Sequence, residues 1–262
     1  MHDEPDKRKK RLKLTRKSTR KIIGKWRKLS SDEGEATANG EEAAGRKKEQ
    51  GVKKVLGLHL DDAVRADPSL DGIPLPAFFR HCVDYVEEHG LYTEGIYRLS
   101  PPKSRLDELE RRANSGEPMV FADVHDAAGL IKRFLRQIPE PVVPPEFDSI
   151  AESCRCGLPS TSQLSPRLFC GCGAARRMRE ALNSLAIERK YLFVYVFLHA
   201  QHVMAEEKEN KMGLQALGLL LQTVLEMSRK MVCFCAHAVR PADGIPNQGA
   251  CYLVDEDTRI IK

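Results

Sequence analysis

The chain reads as an all-α protein, and three observations carry that prediction. Successive segments repeat apolar residues at helical spacings of three and four, and no stretch alternates apolar and polar residues in a convincing strand pattern. Residues 191–204 are apolar nearly all round, as the central buried helix of a bundle must be. With 262 residues and 42% hydrophobic composition, the chain has room for one domain of ordinary size, a real core and tails.

Taken in order, residues 58–64 make a short lead-in before the Asp67-Pro68-Ser69 turn. A helix follows over residues 75–89, with Leu75, Phe78, Phe79, Cys82, Val83 and Val86 on one face and Gly90 as its stop. The loop Glu94-Gly95-Ile96-Tyr97-Arg98-Leu99-Ser100 comes next and sets a single arginine between two helices. Ser100 is expected to cap the second helix, Pro101 and Pro102 fit its first turn, and Leu106, Leu109 and Ala113 mark its buried side. A polar loop, Ser115-Gly116-Glu117-Pro118, leads to a third helix over residues 126–138. Leu130, Ile131, Phe134, Leu135 and Ile138 form its apolar face, and Pro139-Glu140-Pro141 ends it. Lys132 and Arg136 sit four apart on the other side, where like charges repel, so local helix stability does not ask for them. Further helices are expected over residues 174–185, 191–204, 213–227 and 231–239.

The net charge of +5 conceals an asymmetry. Residues 1–30 hold thirteen Lys or Arg against three acidic residues, and the remainder of the chain is slightly acidic. This arm and the polar stretch 31–51 lack the apolar surface to fold and read as a disordered basic arm and linker. Ile22, Trp26 and Leu29 would share a face if the arm became helical, which suits an anionic membrane surface. A nuclear localisation signal and a nonspecific nucleic-acid contact are equally compatible with KRKKRLK. The helical domain is expected over residues 52–243, with an irregular tail over 244–262.

No apolar run is long enough to span a membrane, and the first thirty residues lack the apolar core of a secretory signal. The expectation is a cytoplasmic protein whose eight cysteines are mostly reduced. Cys154, Cys156, Cys170 and Cys172 form two C-x-C pairs separated by thirteen residues, and four thiolates could hold a structural zinc. The usual spacing is C-x₂₋₄-C, so an irregular loop with spare thiols is the simpler reading, and no metal or cofactor is assigned. Phosphate-binding GxxxxGK[ST], HExxH and GxSxG motifs are absent from the sequence. His59, His81, His89 and His125 are scattered and read as surface or packing residues.

EGIYRLS, followed about thirty residues later by LIKRFLRQIPEPVV, resembles the RhoGAP domain, the module that accelerates GTP hydrolysis by Rho-family GTPases. GLHLDDAV and DGIPLPAFFRHCVDYVEEHG are most similar to its Ral-binding members, and NKMGLQALGLLLQTVLEMSRKMVCFCAHAV follows the family more loosely, so the resemblance covers roughly residues 53–240. It implies a RhoGAP-type helical bundle acting as a monomer on a GTP-bound Rac- or Cdc42-type GTPase, without catalytic chemistry or a specific nucleic acid of its own. By resemblance Arg98 is the arginine finger, and Lys132 and Arg136 are the basic pair that braces the finger loop and contacts the GTPase. Three positions depart from the family pattern. Ala216 stands where an asparagine is expected, Thr223 takes the place of the proline after it, and Pro101 replaces a glycine. An active GTPase activator and a catalytically weak or inactive binding module are therefore both compatible with the sequence, as is a scaffold whose main partner is bound by the basic arm.

Overall fold

The computed structural model describes residues 54–155 and 172–238. The basic arm, the linker, Cys156, Cys170 and the C-terminal tail lie outside the described residues. Ten helices make up the described part: α1 Leu60–Ala66, α2 Ala77–His89, α3 Lys103–Ser115, α4 Val124–Gln137, α5 Phe147–Glu152, α6 Ala174–Asn183, α7 Ile187–Ala205, α8 Glu207–Asn210, α9 Leu214–Leu225 and α10 Arg229–Ala238. The described residues contain no strand, so the all-α prediction holds.

Helix α7 is the axis of the core. Leu192, Phe193, Val194, Val196, Phe197 and Leu198 are all buried, because the segment meets α1, α2, α9 and α10 on different sides and has no face left for water. The tightest pairing is α2 with α4, where Phe78 meets Phe134 edge-on at 5.2 Å and Phe79 lies tilted on the same ring at 5.2 Å. Phe79 also approaches Tyr195 of α7 at 6.2 Å, which joins the three helices around one aromatic cluster. On the far side, α10 packs on α5 and α9.

Helix ends follow local chemistry. Asp123 caps α4 by accepting from the amides of His125 (2.7 Å) and Asp126 (3.2 Å), so that helix begins two residues earlier than its apolar pattern suggests. Ile138 leaves in an extended conformation, as the residue before Pro139 must. Helix α2 begins at Ala77 rather than Leu75 because Pro76 stands at its boundary, although Leu75 is fully buried in the lead-in. Helix α9 stops at Leu225, where Glu226 turns to a positive φ of 55°. The expected serine cap of α3 is not formed. Pro102 occupies the cap position with no side-chain bond to the helix, and Ser100 is engaged elsewhere.

Helices α3 and α4 approach each other through Gly129. A β-carbon there would lie 2.8 Å from Pro101 Cδ and 2.9 Å from Leu106 Cδ2, so the proline rests directly on the α4 backbone. Gly129→Ala should therefore destabilise the domain by about 1–2 kcal/mol, overpacking outweighing the better helix propensity of alanine. A lower urea midpoint at unchanged m-value would register this loss.

Candidate functional site

The loop between α2 and α3 is a tight, self-bonded turn. The amides of Arg98 and Leu99 both donate to the Gly95 carbonyl, at 2.9 and 3.0 Å, and the Ile96 amide donates to Thr93 at 3.1 Å. Gly95 supplies a left-handed φ of 72°, and Tyr97 takes φ 68° despite its bulky side chain. For a non-glycine residue that conformation costs roughly 1–2 kcal/mol, so surrounding contacts must hold it. Ile96 and Tyr97 supply two of them, since both side chains are buried in the core. Arg98, next in sequence, is exposed, and among the described residues no carboxylate or carbonyl pairs with its guanidinium.

Lys132 fixes the loop from below. Its ammonium donates to the Tyr97 carbonyl (2.6 Å), the Leu99 carbonyl (3.1 Å) and Ser100 Oγ (2.6 Å), so three N–H donors meet three acceptors. The sequence pattern assigns Lys132 to the side of the helix away from the core; instead it is only 5% exposed, because the loop folds over it. Burial, and after it the nearby charge of Arg136, lowers its pKa to about 8. The repulsion expected between these two cations is therefore present, and the acceptors on Lys132 offset it.

The remaining α4 cations divide differently. Arg133 bonds Asp107 at 2.7 Å and Glu110 at 2.9 Å and ties α4 to α3. Arg136, one turn beyond Lys132, is exposed and has no hydrogen-bond or ion-pair partner among the described residues. Arg98 and Arg136 are thus two exposed cations flanking one buried one.

Two further anchors were not legible in the helical pattern. Asn210, fully buried at the end of α8, accepts from the Gly95 amide through its backbone carbonyl at 2.8 Å. Its side chain donates to the carbonyls of Leu91 (2.8 Å) and Val203 (2.7 Å) and accepts from the Met212 amide (2.7 Å). The other anchor is a polar chain inside the core. The Tyr97 hydroxyl lies 2.5 Å from His199 Nε2, His199 Nδ1 lies 2.5 Å from Glu87 Oε1, and His202 Nδ1 lies 3.0 Å from both oxygens of the same carboxylate. Burial disfavours a charged Glu87, yet the charges and hydrogen bonds of His199 and His202 outweigh it and hold its pKa near 2. The same carboxylate raises His202 against the opposing effect of burial.

Helix α9 closes the site on the remaining side. Leu217, Leu220, Leu221 and Val224 line an apolar depression together with Tyr97, Lys132 and His199. Ala216 and Leu219 on the same helix are exposed, as is Leu99 in the loop. The surface around Arg98 therefore offers cations set among apolar side chains, and no donor where the asparagine was expected.

Elsewhere, His59 pairs with Glu140, His81 stacks on Phe121 and His89 meets Tyr85, in agreement with packing roles. Cys154 and Cys172 bring their sulfurs within 3.7 Å between α5 and α6. Their companions Cys156 and Cys170 lie outside the described residues.

The side-chain bonds of Asn210 make one outcome definite. Asn210→Ala keeps the backbone bond to Gly95 but strands the Leu91 carbonyl and the Met212 amide, the Val203 carbonyl retaining the Glu206 amide at 3.2 Å. The substitution should cost about 3 kcal/mol of unfolding free energy, measurable by urea denaturation.

Comparison with known proteins places this geometry in a family. The model of the RhoGAP domain matches residues 76–230. RalA-binding protein 1-A of Xenopus laevis is 31% identical over 189 residues, covering 69% of this chain and 26% of that protein. RalA-binding protein 1 of Drosophila melanogaster is 29% identical over 187 residues, covering 70% of this chain and 28% of that protein. Rho GTPase-activating protein 45 of Mus musculus is 28% identical over 198 residues, covering 69% of this chain and 17% of that protein. The chain thus spans about a quarter or less of the length of these curated relatives. The crystal structure of human Rho GTPase activating protein 15 superposes with a TM-score of 0.56 at 20% identity, covering 71% of this chain and 90% of that one, which establishes the shared fold. A family match across more than half of the chain, joined to a helical scaffold that carries the EGIYRLS loop, makes this chain a member of the RhoGAP family.

Proposed function

We propose that this domain accelerates GTP hydrolysis by a Rho-family small GTPase of the Rac or Cdc42 type, with Arg98 as the arginine finger. The observation that carries this reading is the exposed guanidinium of Arg98, unpaired among the described residues, on a loop whose backbone is held by Lys132, Tyr97 and Asn210. A GTPase alone hydrolyses GTP slowly because negative charge gathers on the transferred phosphoryl oxygens with too little to neutralise it. A guanidinium is permanently cationic and planar, and its forked donors match phosphate oxygens in a way that lysine cannot copy. Holding the loop rigid before the partner arrives avoids an ordering cost on binding.

Lys132 acts as the brace of the finger loop in this reading, and Arg136 meets the acidic partner surface. The relatives called Rho GTPase-activating proteins support the activity, and those called RalA-binding proteins support the placement within the family. The working unit is residues 52–243, within which the family match falls. The domain acts as a monomer on the GTP-bound partner in the cytoplasm. The basic arm, residues 1–30, adds charge-driven attachment to an anionic membrane surface.

A second reading, a binding module with weak or no acceleration, is favoured by one observation. The exposed Ala216 has no polar group to offer where the family carries an asparagine. The two readings separate in a single-turnover GTP hydrolysis assay with Rac-, Cdc42- and Rho-type GTPases. Acceleration by the wild-type chain, lost by on the order of 10³-fold in Arg98→Ala and not restored by Arg98→Lys, supports the finger. Complex formation without acceleration supports the module. Under the first reading Ala216→Asn raises the rate at saturation, by roughly tenfold for one regained hydrogen bond to a charged or transition-state group; no gain removes Ala216 as the cause of weak activity.

A further inference from the structure

We infer that Tyr97, His199 and Glu87 form a positioning relay that sets the direction in which the Arg98 side chain leaves the loop. The inference rests on Arg98 being the finger, and it adds three residues that act on the finger without touching the nucleotide.

Tyr97 immediately precedes Arg98, and its backbone sits at φ 68°. An ordinary tyrosine would relax to a negative φ. That rotation would swing the following peptide and send the Arg98 side chain elsewhere. Hydrophobic burial of the ring alone does not hold the strained angle, because a ring can remain buried while the backbone before it turns. The two ends of the residue are instead pinned separately. Lys132 holds its carbonyl at 2.6 Å, and His199 holds its hydroxyl at 2.5 Å, 102 residues away in sequence.

The relay uses both nitrogens of His199. With Glu87 a carboxylate, Nδ1–H donates to Oε1 at 2.5 Å, and Nε2 hydrogen-bonds the Tyr97 hydroxyl, accepting its O–H when the ring is neutral and donating to its oxygen when the ring is protonated. Glu87 is kept ionised by His199 first and then by its second imidazole, His202 of α7, at 3.0 Å. The chain therefore runs from α2 through α7 to the loop, and each member holds the orientation of the next. Apolar side chains could fill the same space, so packing alone does not explain three linked polar groups inside the core.

Tyr97→Phe removes the hydroxyl and keeps the ring. In single-turnover hydrolysis with a GTP-loaded Rac-type GTPase and the full chain, the rate at saturation should fall about tenfold while the dissociation constant stays within twofold. Tyr97→Phe added to Arg98→Ala should cause no further loss, since the relay acts through the finger. His199→Leu should lose about tenfold, and His199→Gln, which keeps an acceptor near the Nε2 position, should return to within threefold of wild type. Where the wild type accelerates hydrolysis, saturating rates equal to wild type in Tyr97→Phe overturn the relay. Hydrogen exchange in the unliganded chain gives a readout independent of any GTPase. The Arg98 and Leu99 amides, both bonded to Gly95, should exchange at least tenfold faster in Tyr97→Phe, while amides of α7 are unchanged. Unchanged exchange overturns the relay even if the wild-type chain proves inactive, and faster exchange in an inactive wild type upholds the relay while removing the finger.

Discussion

Everything at the site depends on the burial of one ammonium group beneath an irregular loop. Taking a lysine out of water is costly unless each of its protons finds an acceptor, and Lys132 has as many acceptors as donors. Those acceptors are supplied by Tyr97, Leu99 and Ser100, so satisfying the lysine and shaping the loop are one event. Two carbonyls turned toward the lysine leave the intervening side chain, Arg98, on the outside. Helix α4 pays for this with a charge pair that local physics disfavours, which is why the position of Arg136 carries information that a lone surface arginine would not.

The helical architecture was readable from spacing because most helices have one face in the core and obey a short-range rule. Phe78, Phe79, Val83 and Val86, or Leu130, Ile131, Phe134 and Leu135, announce their own burial. The loop and its candidate arginine were readable through resemblance rather than periodicity. Four features escaped for a common reason: their partners are distant in sequence. Lys132 looks like a solvated residue until a loop more than thirty positions away covers it. Ser100 looks like a helix cap until that lysine takes it. The bonds that give Asn210 and His199 their roles reach residues 119 and 102 positions away. A polar residue interrupting an otherwise apolar helix, as His199 does in α7, is the kind of hint that could have been followed.

The surface over the site is uneven in its chemistry. Arg98 and Arg136 offer charge, Leu99 and Leu219 offer apolar area, and Ala216 offers neither. A surface of this kind suits acidic and apolar groups together, the charge acting at long range and the apolar area only on contact.

Pro101 lying against the bare backbone of Gly129 has a mechanical meaning. The proline ring meets the α4 backbone directly just downstream of the loop, and the same helix holds the loop itself through Lys132, which bonds Tyr97, Leu99 and Ser100. The second half of the loop and helix α4 are consequently joined at successive points, while Asn210 holds Gly95 at the other end. A displacement of α4 would carry with it the carbonyls on either side of Arg98, and a lever of this kind needs no rearrangement of the core to transmit it.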